Sequence, residues 1–274
     1  MDVRSIADRP PRMEHEGTTA VWWMYDAREA FAQTTGGHLE HVCELEIAGG
    51  SALHPHAHPT HEYFYVLSGH GLMSVDGERR EIGPGELVSV PPGAVHSLAP
   101  VTEHAPVHCL AFAVGVAGAP AVDYAGDGAG GAPASRPAQL AGRRYRARRD
   151  VAPTPEHQGS ATVWWLVAPG ELAEQTAGGH LELTNEWEVA GGGAVHTHAH
   201  PTVEFYYGLT GRGIMTIEGE DHEVGPGDLV LIPPDAAHSI CPVNDNAPIR
   251  CFCFAVGLAG STAYDYANDH AAIA

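Results

Sequence analysis

The feature that most constrains this chain is an internal repeat with a constant offset of 142 residues. The match runs without a gap from Asp8/Asp150 to Tyr124/Tyr266, and about half of the aligned residues are identical. Self-similarity on this scale indicates two copies of one folding unit. At 274 residues, the chain has room for two domains that each bury a core without disulfide support.

Each copy contains two closely spaced histidines, a glutamate and a later histidine. In the first copy they are His56, His58, Glu62 and His96. Side chains two residues apart in a strand share a face, so His56 and His58 can converge on one point, with Glu62 on the same parity. His96 joins them only if the sheet curls and returns a later strand. Such a set suits a divalent metal ion. The second copy repeats it with His198, His200, Glu204 and His238.

Glycines at fixed spacing frame these residues. The first stretch reads G(x5)HxH(x3)E(x6)G from Gly50 to Gly69, and the second reads G(x5)PxG(x2)H from Gly85 to His96. Both resemble the two motifs of the cupin superfamily, and the second copy differs only by having Asp235 at the turn glycine. The whole chain is similar to a bicupin. That resemblance implies an all-β fold of two tandem antiparallel jelly-roll barrels related by internal duplication.

The resemblance also implies one divalent transition metal per domain. The cupin spacing selects the eight residues named above as ligands. Iron is expected first, with manganese, nickel, copper and zinc as alternatives, because ligand type alone does not choose among them. His54 and His196 precede the ligand pairs by one strand repeat. They are the candidate catalytic residues, as proton shuttles or hydrogen-bond donors to the ligands. The alternatives are a shifted ligand pair, His54/His56, or ordinary rim histidines.

The local patterns favour the same fold independently. Many short strands punctuated by Gly and Pro, without long 3.6-residue periodicity, are typical of an antiparallel jelly roll. Trp22 and Trp23 must face opposite ways on one strand. A hairpin is expected at Asp76-Gly77, an arm over a barrel at residues 1–16, and a short helix or loop at residues 26–35.

The repeat also sets the predicted domain boundaries. We expect barrels at residues 8–127 and 150–269, joined by a linker rich in Gly, Pro and Arg at residues 128–149. The two barrels differ at positions that are candidates for lining a pocket. His108 in the first corresponds to Arg250 in the second, which is suited to binding a substrate carboxylate if it faces inward.

The charge of the chain restricts its partners. Thirty-four acidic residues oppose 14 basic ones, all of them arginine, for a formal charge of -20. This argues against nucleic-acid and anionic-membrane partners, and the absence of lysine removes Schiff-base and P-loop chemistry. The five cysteines form no CxxC pair, and the sequence shows neither a signal peptide nor a membrane span. We expect a cytoplasmic protein, either a monomer or a homo-oligomer.

The sequence leaves three functions open. The first is a metal-dependent oxidoreductase, a non-haem dioxygenase that acts on a small chelating substrate, as the cupin resemblance implies. The second is a redox-neutral isomerase, epimerase or decarboxylase, in which the metal acts as a Lewis acid and His54/His196 or His38/His180 supply the base. The third is a bicupin that binds a small molecule without turnover.

Overall fold

The structure, a computed structural model, describes residues 1–27, 29–30, 38–115, 144–168, 171 and 181–258. Most of the expected helix or loop at 26–35 and most of the expected linker lie outside these ranges. The described residues divide into two compact units. The amino-terminal unit comprises those of 9–147, and the carboxyl-terminal unit comprises those of 1–8 and 148–258. The domain boundaries expected from the repeat stay a prediction.

The amino-terminal unit consists of two antiparallel sheets. The larger has the order β12-β9-β6-β11-β4-β3-β2 and the smaller the order β5-β10-β7-β8. The strands are β2 (Arg12–Glu14), β3 (Thr19–Tyr25), β4 (Leu39–Ile47), β5 (Leu53–His56), β6 (His61–Ser68), β7 (Gly71–Val75), β8 (Glu78–Ile82), β9 (Glu86–Val90), β10 (His96–Pro100), β11 (Val107–Val114) and β12 (Tyr145–Ala147).

The carboxyl-terminal unit repeats this topology, with the orders β1-β20-β17-β22-β15-β14-β13 and β16-β21-β18-β19. Its strands are β1 (Asp2–Ser5), β13 (Thr154–Glu156), β14 (Ala161–Val167), β15 (Leu181–Val189), β16 (Val195–His198), β17 (Val203–Thr210), β18 (Gly213–Ile217), β19 (Glu220–Val224), β20 (Asp228–Ile232), β21 (His238–Pro242) and β22 (Ile249–Val256). The described residues of this unit also form 3-10 turns at η1 (Ile6–Asp8), η2 (Arg148–Asp150) and η3 (His157–Gly159).

Each unit buries its core between its two sheets. In the amino-terminal unit, Phe64 and Leu45 from the larger sheet and Met73 and Leu98 from the smaller one belong to one cluster. The carboxyl-terminal unit has an equivalent cluster. The expected all-β jelly-roll fold is therefore confirmed. Each half is a pair of facing sheets rather than one sheet closed by continuous hydrogen bonds.

Strand composition follows position in the sheet. Strand β11, with the sequence VHCLAFAV, lies between β6 and β4 and is buried along almost its whole length. Strand β8, with the sequence ERREI, is at the edge of the smaller sheet, and four of its five residues are exposed. Charged side chains on an edge strand oppose pairing with another chain. The sequence therefore specifies which strands are central and which are peripheral.

Two short strands extend the larger sheets from segments outside the repeated motifs. Strand β1, from the start of the chain, pairs with β20 in the carboxyl-terminal unit, and Val3 packs against its core. Strand β12 pairs with β9 in the amino-terminal unit. The expected arm at residues 1–16 thus contains β1, which adds backbone hydrogen bonds to a sheet edge rather than lying over a barrel surface.

The tryptophan pair and the hairpin are also confirmed. Trp23 packs against the core cluster, whereas the ring of Trp22 lies 6.0 Å from that of His108 on the other face of β3. Asp76 and Gly77 have φ values of 50° and 83° between β7 and β8. Two successive positive φ values are those of a type I′ turn, whose twist matches the strands it joins.

Gly69 and Gly77 both have a positive φ, but only at Gly69 would an added Cβ also clash with a neighbouring residue. Gly69 and Gly77 have φ values of 74° and 83°, but a Cβ on Gly69 would lie 2.0 Å from the Pro106 carbonyl oxygen, whereas nothing lies within 4 Å of one on Gly77. We expect Gly77→Ala to lower the free energy of unfolding by about 1 kcal/mol. Gly69→Ala should lower it by roughly 3 kcal/mol. Urea unfolding would measure both, and equal losses would contradict the clash.

Candidate metal centres

The amino-terminal centre is assembled from three strands and a turn. His56 ends β5, His58 follows it, Glu62 is the second residue of β6, and His96 begins β10. One ligand atom from each lies within 4.8 Å of the others. Glu62 and His96 are buried, with 6% and 1% of their surfaces exposed, and His56 and His58 are half-buried. The expected four-residue set therefore converges on one point inside the fold.

The carboxyl-terminal centre has the same construction. Its residues are His198 at the end of β16, His200, Glu204 in β17 and His238 at the start of β21. The four ligand atoms again lie within 4.8 Å of one another. Three of these residues are buried and His198 is half-buried. The duplication therefore extends from the sequence to the geometry of the site.

Backbone pairing brings the distant histidine to the early pair. His96 is the register partner of His56 between β10 and β5, and His238 is the partner of His198 between β21 and β16. In the turn before the last ligand, the Gly93 N–H donates to the His58 carbonyl oxygen at 2.7 Å. Asp235 in the second copy keeps the left-handed backbone, with φ of 61°, and its N–H donates to the His200 carbonyl oxygen.

The spacing of the ligand atoms fits one transition-metal ion. Two ligands on an ion with bonds near 2.1 Å lie about 3 Å apart when adjacent and about 4 Å apart when opposite. Glu62 Oε2 lies 2.8 Å from His96 Nε2, and Glu204 Oε2 lies 2.7 Å from His200 Nε2. The set of three imidazoles and one carboxylate therefore matches a divalent ion in geometry and in donor type.

Hydrogen bonds at the far ring nitrogens orient the imidazoles. The Nδ1–H groups of His56 and His198 donate to the carbonyl oxygens of His54 and His196, at 2.6 and 2.8 Å. His96 and His238 donate in the same way to Ala94 and Ala236. Donation from Nδ1 leaves the lone pair on Nε2, the atom that faces the centre. These four rings are thus fixed in the tautomer that binds a metal.

The surroundings of the candidate ligands shift their pKa values. Burial lowers the pKa of His58 to about 4, and burial together with the neighbouring His238 lowers the pKa of His198 to about 3. Burial alone would raise the pKa of Glu62, but the hydrogen bond and charge of His96 bring it well below its usual range. The carboxylate is therefore ionised and His58 and His198 are neutral at neutral pH. Burial would also lower the pKa of His96 and His200, but the charge and hydrogen bond of Glu62 and of Glu204 raise it, so a metal ion competes with a proton at these two imidazoles.

A further histidine stands beside each centre, which the sequence reasoning missed. The rings of His15 and His157 lie 5.0 Å from those of His56 and His198. Burial, with the neighbouring His56, lowers the pKa of His15 to about 4. His157 and Gln158 adopt positive φ values of 48° and 61°, which cost free energy in residues other than glycine. The signal in the sequence was the recurrence of Glu-His-x-Gly at residues 14–17 and 156–159.

A cavity of about 70 Å³ opens beside the carboxyl-terminal centre. His198, His200 and Glu204 form part of its lining, and Glu156 and His157 form another part. Apolar side chains make up most of the remaining wall: Ala161, Val163, Trp165, Leu183, Trp187 and Val195. A mostly apolar pocket with a few convergent polar groups is the usual form of a small-molecule site.

A thiol contacts the ligand carboxylate of this centre. Cys253 Sγ–H donates to Glu204 Oε1 at 3.0 Å, which leaves Oε2 on the histidine side. Burial, and then the Glu204 charge, raises the pKa of Cys253 well above its usual value, so the thiol stays protonated. The equivalent residue in the first copy is Ala111, whereas Cys43 on the adjacent strand corresponds to Asn185. The inner walls have therefore diverged although the ligands have not.

The comparison with known proteins agrees with this geometry. The sequence profile of a family described as "Cupin domain" matches residues 43–113 and 185–255, together just over half of the chain. The chain belongs to the cupin family. Because the two matches fall on the two copies, it is a bicupin, as the sequence motifs predict.

Relatives of this bicupin include a named lyase and an uncharacterized protein. Dimethylsulfoniopropionate lyase DddW of Ruegeria pomeroyi is 45% identical over 51 residues, 19% of this chain and 34% of the lyase. An uncharacterized protein of Methanocaldococcus jannaschii is 41% identical over 59 residues, 22% of this chain and 46% of that protein. The chain therefore matches less than half the length of these curated relatives.

The solved structures that resemble the bicupin show its fold. An S161A mutant of Bacillus subtilis oxalate decarboxylase OxdC superimposes with a TM-score of 0.67 at 15% identity, covering 96% of this chain and 79% of that one. At this identity, the likeness concerns the fold alone.

None of the helices in the described part of the bicupin has the length and hydropathy needed to cross a bilayer. The cytoplasmic location and the assembly state stay predictions.

The other candidates from the sequence lie around the centres. His54 Nδ1 is 4.0 Å from Glu16 Oε2, and the ring of His196 is 6.2 Å from that of His157. Their catalytic role stays a prediction.

Arg250 Nε lies 3.7 Å from Glu186 Oε2, and Arg250 is not among the described residues that line the cavity. The described part of the chain includes all five cysteines, and none of them forms a disulfide.

We expect protein loaded with a divalent metal to hold one ion per cupin repeat. Losing a residue that hydrogen-bonds to a ligand typically lowers metal affinity by roughly 10–100-fold. His238→Ala removes a ligand itself, so we expect it to lower the metal affinity of the carboxyl-terminal centre by more than that. Elemental analysis after dialysis should then find half of the wild-type metal.

His222→Ala is the matched control, because His222 is an exposed histidine on β19 of the same unit. It should retain the wild-type metal content. Unchanged metal in His238→Ala would show that this ligand assignment is wrong.

Proposed function

We propose that this bicupin is a metal-dependent lyase or decarboxylase that breaks a bond in a small chelating carboxylate without net oxidation. The observation that carries the proposal is the cavity in the carboxyl-terminal unit. It is bounded by three residues of the ligand set and also by Glu156, a carboxylate outside that set. Metal ligands and a separate carboxylate around one small cavity are what a Lewis-acid reaction with proton transfer requires.

The names of similar proteins support the same class. One is called a lyase and another an oxalate decarboxylase. Decarboxylation was among the alternatives from the sequence, whereas a dioxygenase was the first expectation there. A bound divalent ion would supply Lewis acidity to the carboxylate or carbonyl oxygen of the substrate. Iron, manganese, nickel, copper and zinc all remain compatible with the donor set.

The residues of the chain account for the rest of the proposed reaction. The imidazoles of His198 and His200, together with the Glu204 carboxylate, would hold the ion at one end of the cavity. The indole rings of Trp165 and Trp187 restrict the space available to water. The Glu156 carboxylate is the group to which we assign proton transfer, in preference to the earlier candidates His54 and His196, because it lines the cavity.

The first test separates this proposal from the dioxygenase. Metal-loaded protein should convert its substrate, found among small hydroxy- and oxo-carboxylates, equally fast under argon and in air. The physical reason is that bond cleavage promoted by a Lewis acid consumes no oxidant. Product analysis and an oxygen electrode would measure this. Oxygen uptake stoichiometric with product would instead favour the dioxygenase, and binding without turnover would favour a non-catalytic bicupin.

The second test concerns Glu156. Glu156→Gln keeps the shape of the side chain but removes the carboxylate, so we expect kcat to fall by about 100-fold or more with little change in metal content. The matched control is Glu14→Gln at the equivalent position of the first repeat, where Glu14 Oε1 accepts a hydrogen bond from Trp23 Nε1 at 2.7 Å. Its kcat should remain within about twofold of wild type. Equal effects of the two changes would contradict the assignment.

A further inference from the structure

Two buried polar groups in the cavity wall have no hydrogen-bond partner among the described residues. They are Asn185 Oδ1 and Trp187 Nε1. The two residues expose only 5% and 4% of their surfaces, and both line the cavity beside the carboxyl-terminal centre. Buried polar groups in folded proteins are almost always paired, because an unpaired group loses its hydration without compensation. Two such groups on one wall therefore indicate a ligand that completes them.

The position of the pair ties it to the metal centre. Asn185 and Trp187 are alternate residues of β15 and therefore share its inner face. Asn185 is the cross-strand partner of Cys253, whose thiol donates to the metal-ligand carboxylate of Glu204. The ring of Trp187 lies 5.0 Å from that of Tyr206, another residue of the cavity wall. A molecule held by the ion is thus close to both unpaired groups.

The first repeat lacks this pair. At the equivalent positions it has Cys43 and Leu45, which are buried in the core cluster. A thiol is a weak hydrogen-bonding group, and leucine has none. The two copies share all four metal ligands and yet differ here, so the pair distinguishes what the carboxyl-terminal cavity recognises.

The charges of the wall define the chemistry of the group that the pair receives. The chain has no lysine, and no arginine is among the described residues that line the cavity. Among these described residues, the only carboxylates belong to Glu156 and Glu204. A second carboxylate on the substrate would therefore be buried without a cation, at a high desolvation cost. A hydroxyl group, by contrast, can accept from the indole N–H of Trp187 and donate to the Oδ1 atom of Asn185.

We propose that Asn185 and Trp187 bind a neutral oxygen group of the substrate, whose anionic chelating end binds the metal ion. The substrate class is a small monocarboxylate with a further hydroxyl group, rather than a dicarboxylate. This inference rests on the proposed function for the location of the site and adds the substrate class. The apolar side chains of Val163 and Leu183 accommodate the carbon atoms between the two polar ends.

Three probes test the proposal by binding alone. Glycerate and lactate share a 2-hydroxycarboxylate chelating end, but only glycerate has a further hydroxyl. Tartronate has a second carboxylate in place of the hydroxymethyl group of glycerate. Calorimetric titration of Mn²⁺-loaded full-length protein in a His56→Ala background would report on the carboxyl-terminal ion. Glycerate should bind about tenfold more tightly than lactate, because an absent hydroxyl leaves the buried groups unpaired, and tartronate should bind more weakly than glycerate.

Two variants assign this preference to the pair. Trp187→Phe keeps a ring and removes the N–H, and Asn185→Leu keeps the approximate volume and removes the amide. Each should reduce the preference for glycerate over lactate to about two- to threefold, while the affinity for lactate is retained. The matched control is a His198→Ala background, which leaves only the amino-terminal ion. There, the preference should be close to one, because Cys43 and Leu45 occupy the equivalent positions.

A measurement without ligand separates recognition from a structural role. If Trp187 Nε1 has no partner in the folded protein, Trp187→Phe should leave the Tm unchanged or raise it. A Tm lowered by several degrees together with an unchanged preference for glycerate would overturn the proposal. Equal affinities for glycerate and lactate, tighter binding of tartronate, or no binding of any probe would also overturn it. If glycerate is preferred as expected but no carboxylate is converted under argon, the inference about Asn185 and Trp187 stands and the proposed function is wrong.

Discussion

Both centres depend on the register of one antiparallel strand pair. Pairing of β5 with β10 places His96 opposite His56, and pairing of β16 with β21 places His238 opposite His198. A slip of one residue would turn the later imidazole to the other face of its strand. The Pro turn before the later strand contributes to this register, because its backbone N–H groups bind the carbonyl oxygens of His58 and His200. The ligand geometry is therefore a consequence of backbone pairing.

Once the ligands converge, the two repeats are free to differ around them. The four ligand types are the same in both, and four of the imidazoles in the two centres are oriented by the same Nδ1–H bond to a carbonyl two residues earlier. The inner wall is different: Asn185 and Trp187 replace Cys43 and Leu45. The candidate ligands are therefore the same in the two repeats, whereas the side chains of the inner wall are not.

The backbone at His157 shows that the repeats retain more than ligands. Residues 15–17 and 157–159 each have three successive positive φ values, although only the last residue of each run is glycine. Left-handed backbone costs about 1–2 kcal/mol for each residue other than glycine. Both copies keep this conformation, and in both it holds a histidine ring beside a metal-ligand ring. Both repeats therefore have the same unfavourable backbone conformation at this histidine, which is consistent with a role of His15 and His157 near the centres.

The sequence by itself determined the duplication, the two sets of four side chains that converge, the jelly-roll class and the hairpin at Asp76-Gly77. These follow from residue identity and short spacing, since strand parity, turn chemistry and donor type are local properties. Only the tertiary structure decided that β1 pairs with β20, that His15 and His157 lie beside the candidate ligands, and that a cavity opens next to the carboxyl-terminal centre. Such features depend on contacts between residues far apart in the chain, and unpaired groups such as Asn185 Oδ1 can be recognised only when all their neighbours are in place.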